Sequence, residues 1–361
     1  MSQFTETEAI LPFRMEHKRV ANPALAAWNA ALPIAPSPDL LVDLRTDISY
    51  YVPAGAKAVA YVFHGGQGSA KMWIAGEEEA ALVGDLVRNG YAVVLQESTH
   101  RPVEENWFFP DPERFDPARL EEPWNETANA DEQLVREVHT LLGYDPSTKV
   151  FLVGFSSGAK FASAMAYNLK LEPPLLNDYY YTSPRTNTAG GLSVCAAALY
   201  NTVGVPYYFG NFVPDPLFCV PKDHDYDTPT IFNYGLNDPG NDPSEVEANA
   251  AALGNLPTPV PYEDNLGEPA PLLHDRFARV LGVSYAESRA LYAALVADPL
   301  SGYVDASGFV QPAADGAPAV LGLPAGKQQG VEDQLKTLRA EHHVSSQYHD
   351  RTVAFFDTHL S

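Results

Sequence analysis

The sequence predicts an α/β protein: a mostly parallel central sheet with helices on both faces. Three observations predict it. First, short and nearly continuous apolar runs recur, at Ala58-Val59-Ala60-Tyr61-Val62-Phe63, Tyr91-Ala92-Val93-Val94-Leu95 and Val150-Phe151-Leu152-Val153. Strands buried on both faces have this composition, and parallel sheets are where such strands occur. Second, stretches of helical period separate these runs, the alternation that a parallel sheet requires. Third, polar and glycine-rich residues follow the runs directly, at the carboxyl ends of the strands, where sheets of this kind form their sites.

Taken in order, residues 1–40 carry Pro23, Pro33, Pro36 and Pro38 and read as an irregular arm with one short helix over 25–31. Residues 40–52 read as strand material, with room for a hairpin partner, stopped by Pro53-Ala54-Gly55. The buried strand over 58–63 runs into His64-Gly65-Gly66-Gln67-Gly68-Ser69. This loop lacks the Lys-Ser/Thr end of a P-loop and the spacing of a dinucleotide fingerprint. It suits the presentation of backbone N–H groups to a developing negative charge, the alternative being a plain tight turn. Residues 71–89 predict a helix with Trp73, Leu82, Leu86 and Val87 inward and Glu77-Glu78-Glu79 on a solvated face, ended by Gly90. After the strand over 91–95, residues 101–126 form a long loop with Trp107, Phe108, Phe109, Phe115 and Trp124, which either line a pocket or anchor the loop.

An amphipathic helix over 128–142 leads to the strand over 150–153 and a further helix carrying Phe161 and Met165. A polar, tyrosine-rich stretch over 172–191 precedes a strand over 192–199. An aromatic loop follows over 200–227, then a strand over 230–234 and a helix over 244–253. Residues 254–329 are rich in Pro, Gly and Ala with one good helix over 284–297, and read as an inserted cap or lid. A structureless loop of that length is not expected in a compact domain. Residues 334–340 fall where a last strand is needed, although their composition favours helix, and 347–360 close the chain as an amphipathic helix. The expected organisation is an arm (1–40), a core (41–253 and 330–361) and the insertion (254–329).

Composition narrows the function classes. The 361 residues include 45% hydrophobic ones, ample for a large core, and carry a formal net charge of −23. So acidic a chain repels nucleic acid and anionic membranes, and no nucleic-acid partner is expected. No run of about 18 apolar residues is present, so no transmembrane segment is expected. Charges throughout 1–19 leave no signal-peptide pattern, and the expected location is the cytoplasm, with a secreted mature form as the alternative. Asn125-Glu126-Thr127 is therefore only formally a glycosylation sequon. Cys195 and Cys219 are too few for a disulfide scaffold and read as buried thiols, with a single bridge left open. No C-x-x-C or H-E-x-x-H spacing points to a metal, and no cofactor is expected.

The chemistry centres on Gly154-Phe155-Ser156-Ser157-Gly158, a G-x-S-x-G pattern between a strand and a helix. The tight turn pushes the Ser156 hydroxyl out at the end of the strand, and glycines at 154 and 158 avoid collisions with neighbouring backbone. The N–H of Ser157 lies at a helix N-terminus, where it can face an oxyanion. A serine hydroxyl needs a base, ordinarily a histidine oriented by a carboxylate. Asp238, on the turn Gly235-Leu236-Asn237-Asp238, is the candidate acid, with Asp242 as competitor. The candidate base is His342, with His343 as the alternative and His349 a third, expected within the closing helix as a surface histidine.

With these motifs the chain resembles the α/β-hydrolase superfamily over roughly 58–360, apart from the insertion. Gly154-Phe155-Ser156-Ser157-Gly158 looks like its nucleophile elbow, His64-Gly65-Gly66 like its oxyanion loop, and Gly235-Leu236-Asn237-Asp238 like its acid turn. His342-His343-Val344-Ser345 is similar to the ending of carboxylesterases and acyl-protein thioesterases, and the Gly-Gly-Gln-Gly-Ser loop to polyhydroxybutyrate-depolymerase-like esterases. Two departures stand out: Asp238 and His342 lie 104 positions apart (342 − 238), and Glu341 occupies the usual glycine position before the histidine. The resemblance implies a cofactor-free serine esterase acting on small or polymeric esters through Ser156, His342 and Asp238. Its oxyanion donors would be the N–H groups of Ser157 and of Gly66 or Gln67. The same parts would serve a peptidase or thioesterase, and a non-catalytic binding member of the fold is the alternative of another class.

Overall fold

The structure is a computed structural model and describes residues 11–22, 45–66, 68–98, 128–173, 188–202, 226–297 and 302–360. Its centre is an eight-stranded sheet. In chain order the strands are β1 (Glu16–Ala21), β2 (Arg45–Tyr51), β3 (Ala58–Phe63), β4 (Tyr91–Gln96), β5 (Lys149–Phe155), β6 (Ser193–Tyr200), β7 (Thr230–Gly235) and β8 (Tyr262–Gly267). Their order across the sheet is β1-β2-β4-β3-β5-β6-β7-β8. The pairs β1–β2 and β2–β4 are antiparallel, and every pairing from β4 through β3 to β8 is parallel. This is the strand order of the α/β-hydrolase fold.

The main helices are α1 (Met72–Ala75), α2 (Glu77–Arg88), α3 (Ala128–Leu141), α4 (Ser157–Asn168), α5 (Pro243–Gly254), α6 (Arg276–Val280), α7 (Tyr285–Val296), α8 (Ala317–Val320), α9 (Ala325–Leu338) and α10 (His349–Thr358). Side chains alternate across a strand, and β3 shows what that produces. Val59, Tyr61 and Phe63 join a core with Leu134 and Val138 of α3, Phe161 and Met165 of α4, and Val246 of α5. Ala58, Ala60 and Val62 join a second core with Leu82 and Leu86 of α2 and Val353 and Phe356 of α10. Both faces of the sheet are covered, so its central strands lack the polar alternation of a half-exposed sheet.

The connections decide where a ligand site can form. From β3 the chain passes to β4 on one side, then returns to β5 on the other side of β3. The reversal opens a crevice between the carboxyl ends of β3 and β5. The chain emerges there as His64-Gly65-Gly66 after β3 and as Ser156 after β5.

Four expectations are corrected. Residues 16–21, read as part of the arm, form edge strand β1, paired with β2 from Glu16↔Tyr50 to Ala21↔Arg45. The eighth strand, β8, lies inside 254–329, so the sheet reaches further along the chain than expected, and the stretch 334–340 ends helix α9 instead of supplying a strand. The helix over 71–89 breaks at Gly76 into α1 and α2. Finally, Glu77-Glu78-Glu79 is no solvated face: Glu78 is buried, and burial pushes Glu79 up to about 8. The short helix over 25–31 and the aromatic loop over 101–126 lie outside the described residues.

After β8 the chain builds a third core from Leu272, Phe277, Leu295, Val310, Val331 and Leu335. Helix α7 begins with a capping box, Ser284 and Glu287 satisfying each other's backbone amides. Arg276 of α6 reaches Glu78 of α2 at 2.6 Å, and the other oxygen of that carboxylate accepts from the amide of Ser346.

Candidate active site

Strand β5 ends at Phe155 and α4 starts at Ser157, leaving Ser156 alone on the turn at φ 55° and ψ −120°. A non-glycine residue is rarely held at positive φ, and such strain persists only where the surroundings impose it. Here they do. The Ser156 amide donates to Tyr200 O of β6 at 2.9 Å, and its carbonyl accepts from Ala159 N at 3.0 Å in the first turn of α4. A Cβ at Gly154 would overlap the carbonyl of Gly158, and one at Gly158 would overlap the carbonyls of Phe63 and His64. The two glycines let the turn lie directly on the end of β3.

That contact sets the neighbouring loop beside the serine. His64 is buried, with Nδ1 2.7 Å from Gly65 O, while Ser98 N donates to its Nε2 at 3.1 Å. An Nε2 that accepts must be the bare nitrogen, so Nδ1 carries the proton and donates to the Gly65 carbonyl. Gly68 N donates to the same carbonyl at 3.1 Å. Because the peptide is trans, the Gly66 N–H points away from the carbonyl held in this way. Gly65 packs against Phe155, where a Cβ would come within 2.6 Å of the ring. Gln67, the alternative donor, lies outside the described residues.

Asp238 stands on the turn after β7. A Cβ on Gly235 would overlap Ala340 O, so only glycine admits the approaching chain here. Asn237 completes the junction: its amide donates to Ala340 O at 3.0 Å and its Nδ2 to Arg339 O at 2.8 Å. Two residues later, His342 Nδ1 lies 2.8 and 2.9 Å from the two carboxylate oxygens of Asp238. The separation of 104 positions is therefore no obstacle, since the chain returns to the turn it left. Gly240 N and Asn241 Nδ2 donate to the carboxylate at 2.7 and 3.0 Å. Burial pushes the Asp238 carboxyl up, but His342 and these two donors more than offset it and hold it below the ordinary carboxylate range. The Asp238 side chain is sealed from solvent while that of His342 is 27% exposed. With Nδ1–H given to Asp238, Nε2 of His342 is left to accept a proton. The His342 ring lies 4.9 Å from the ring of Phe155, the residue preceding Ser156.

The competing residues are engaged elsewhere. Asp242 caps α5, accepting from Ser244 N at 2.9 Å. His343 is half-buried, which pulls its imidazole below the ordinary value, and its carbonyl accepts from Asn201 Nδ2. His349, expected at the surface, is buried at the start of α10 with Nδ1 3.2 Å from Asp85 Oδ2. Cys195 is a free thiol, and Cys219 lies outside the described residues. Among the described residues no group of His, Cys, Asp and Glu side chains is arranged to hold a metal ion. Among them, too, no helix is long and apolar enough to cross a membrane. Two asparagines of the site, Asn201 and Asn241, escaped the sequence reading. Asn241 had a faint signal in its place three residues after Asp238; Asn201 had none.

No family model and no curated protein matches this chain. Solved structures do resemble it. The esterase Pf2001 of Pyrococcus furiosus is 12% identical, with 77% of this chain and 90% of that one covered and a TM-score of 0.41. TT1662 from Thermus thermophilus is 13% identical over 97% of this chain and 99% of its own, with a TM-score of 0.44. The Bacillus cereus carboxylesterase is 12% identical over 68% and 91%, with a TM-score of 0.38.

Proposed function

We propose that this protein, with its α/β-hydrolase sheet, is a serine hydrolase that cleaves carboxylic esters through an acyl-enzyme. One observation carries the reading. His342 is paired through Nδ1 with a sealed carboxylate, at the same sheet edge as a serine held at positive φ between a strand and a helix. Ser156 Oγ attacks the acyl carbon while its proton passes to His342 Nε2. The N–H groups of Gly66 and Ser157 receive the oxyanion, one such donor being worth about 3 kcal/mol of barrier. The tetrahedral species collapses, and the departing alcohol takes the proton from His342. Water then attacks the acyl carbon, gives its proton to His342, and the carboxylic acid leaves as that proton returns to Ser156. Asp238 holds the imidazole in the tautomer this cycle needs.

The helical segment following β8 is proposed as a cap that selects which esters enter. Its support is its separate core and its attachment through Arg276 and Glu78 to the loop that follows His342. The reading is tested with p-nitrophenyl esters of graded chain length, with the Ser156→Ala variant as control. Hydrolysis by the wild type and a loss of at least about 10³-fold in the variant, with its fold intact, are expected. Activity in the variant within about tenfold of wild type contradicts the mechanism.

A further inference from the structure

Asn201 lies one residue beyond the end of β6, outside every motif of the sequence, and is 1% exposed. Its φ of 50° is left-handed, which asparagine tolerates better than most residues. Its side chain bonds in two directions. Nδ2 donates to His343 O at 2.6 Å, on the loop that carries His342, and Oδ1 accepts from Gly235 N at 3.2 Å, at the start of the turn that carries Asp238. Only one orientation of the amide satisfies a carbonyl on one side and an N–H on the other. Its own carbonyl accepts from Asn241 Nδ2 at 2.9 Å, and that same nitrogen donates to Asp238 Oδ2 at 3.0 Å. The residue before it, Tyr200, supplies the carbonyl that receives the Ser156 amide. The dipeptide Tyr200-Asn201 thus touches the segments bearing all three candidate catalytic residues. Asn237 joins only the acid turn and the histidine loop.

We propose that Asn201 is a positioning residue that fixes the mutual register of Ser156, Asp238 and His342. No other side chain meets its three demands together. Glycine accepts the backbone angle but makes neither side-chain bond. Aspartate keeps the acceptor for Gly235 but sets an oxygen against the His343 carbonyl. Alanine strains the backbone and bonds nothing. A displacement of about 1 Å between reacting groups is enough to cost on the order of 10²-fold in rate.

The inference rests on the hydrolase reading for its kinetic arm only. Asn201→Gly and Asn201→Asp are compared with wild type and with Thr228→Val. The last removes a buried hydrogen bond, from Thr228 Oγ1 to Ala166 O, distant from these contacts. Thermal unfolding, kcat and KM on a p-nitrophenyl ester, and the low-field proton resonance of the His342–Asp238 hydrogen bond are measured on each. Both Asn201 variants are expected to lose about 30-fold or more in kcat, with KM within about threefold, and to lose or broaden the resonance. Thr228→Val is expected to lower the melting temperature and change neither. A kcat within about threefold of wild type with the resonance intact overturns the proposal, as does failure of both Asn201 variants to fold, which assigns the residue a structural role alone. If the wild type cleaves no ester, the hydrolase reading falls, and the resonance still decides whether Asn201 aligns the pair.

Discussion

Single residues in this site are constrained by several neighbours at once, and Asp238 shows the consequence. Its carboxylate receives His342 Nδ1, Gly240 N and Asn241 Nδ2 while its side chain is shut off from water. Asp238→Asn keeps the shape but can turn an N–H toward His342, which favours the wrong imidazole tautomer. A fall in kcat of about 10³- to 10⁴-fold with little loss of thermal stability is expected; equal kcat in a steady-state ester assay would remove Asp238 from the mechanism. Much of the candidate site's local geometry was legible residue by residue. The glycines flanking Ser156 and the glycine opening the acid turn mark places where a Cβ collides with backbone, and such places leave a local pattern. Asn201 left none. Its partners, His343, Gly235 and Asn241, are brought together only by the sheet, and a lone asparagine after a strand does not announce them. The burial of His349 was hidden for the same reason: Asp85, its partner, is 264 residues away.

Whole elements were legible in proportion to how they are buried. Strands β3 and β4 are covered on both faces, and their nearly continuous apolar runs say so. The edge strands say the reverse. In β8, Tyr-Glu-Asp-Asn-Leu-Gly is buried only at Asn265 and Gly267, and in β1, Glu-His-Lys-Arg-Val-Ala only at Val20. An edge strand in water carries charges and loses the apolar signature. Helix α2 was misread in its first turn for a non-local reason, because α9 lies over it: a Cβ on Gly330 would come within 2.7 Å of Glu77 Oε1. Burial, together with the nearby Glu78, Asp333 and Glu77, pushes Glu79 up to about 8, its own backbone amide opposing the rise only in part. The sign follows from linkage. A carboxyl raised on folding favours the folded state below its unfolded value of about 4.5, and this contribution is lost as pH rises toward 8. Stability should therefore fall between about pH 5 and 8, and Glu79→Gln should flatten that fall in denaturant titrations. An unchanged pH profile in the variant would mean that Glu79 ionises normally.

At the scale of the molecule, the sheet edge gathers the candidate residues and the helical segment after β8 is fastened beside it. One point of that fastening is the carboxylate of Glu78, which holds Arg276 of the segment and the Ser346 amide of the histidine loop. Arg276→Met leaves a buried carboxylate without its cation, at a cost of about 3 kcal/mol in unfolding free energy. Limited proteolysis of the variant should cut within 268–338 before the sheet core, whereas cleavage at the wild-type rate would show the segment to be held by its apolar core alone. In the proposed mechanism Ser156 is a nucleophile activated by His342 and Asp238. Its most direct test is intact-mass and peptide mass spectrometry after treatment with a fluorophosphonate. One adduct per chain is expected, on Ser156, absent from Ser156→Ala and slowed strongly in His342→Ala. Absence of an adduct on folded wild type, or a modified serine other than Ser156, would contradict it.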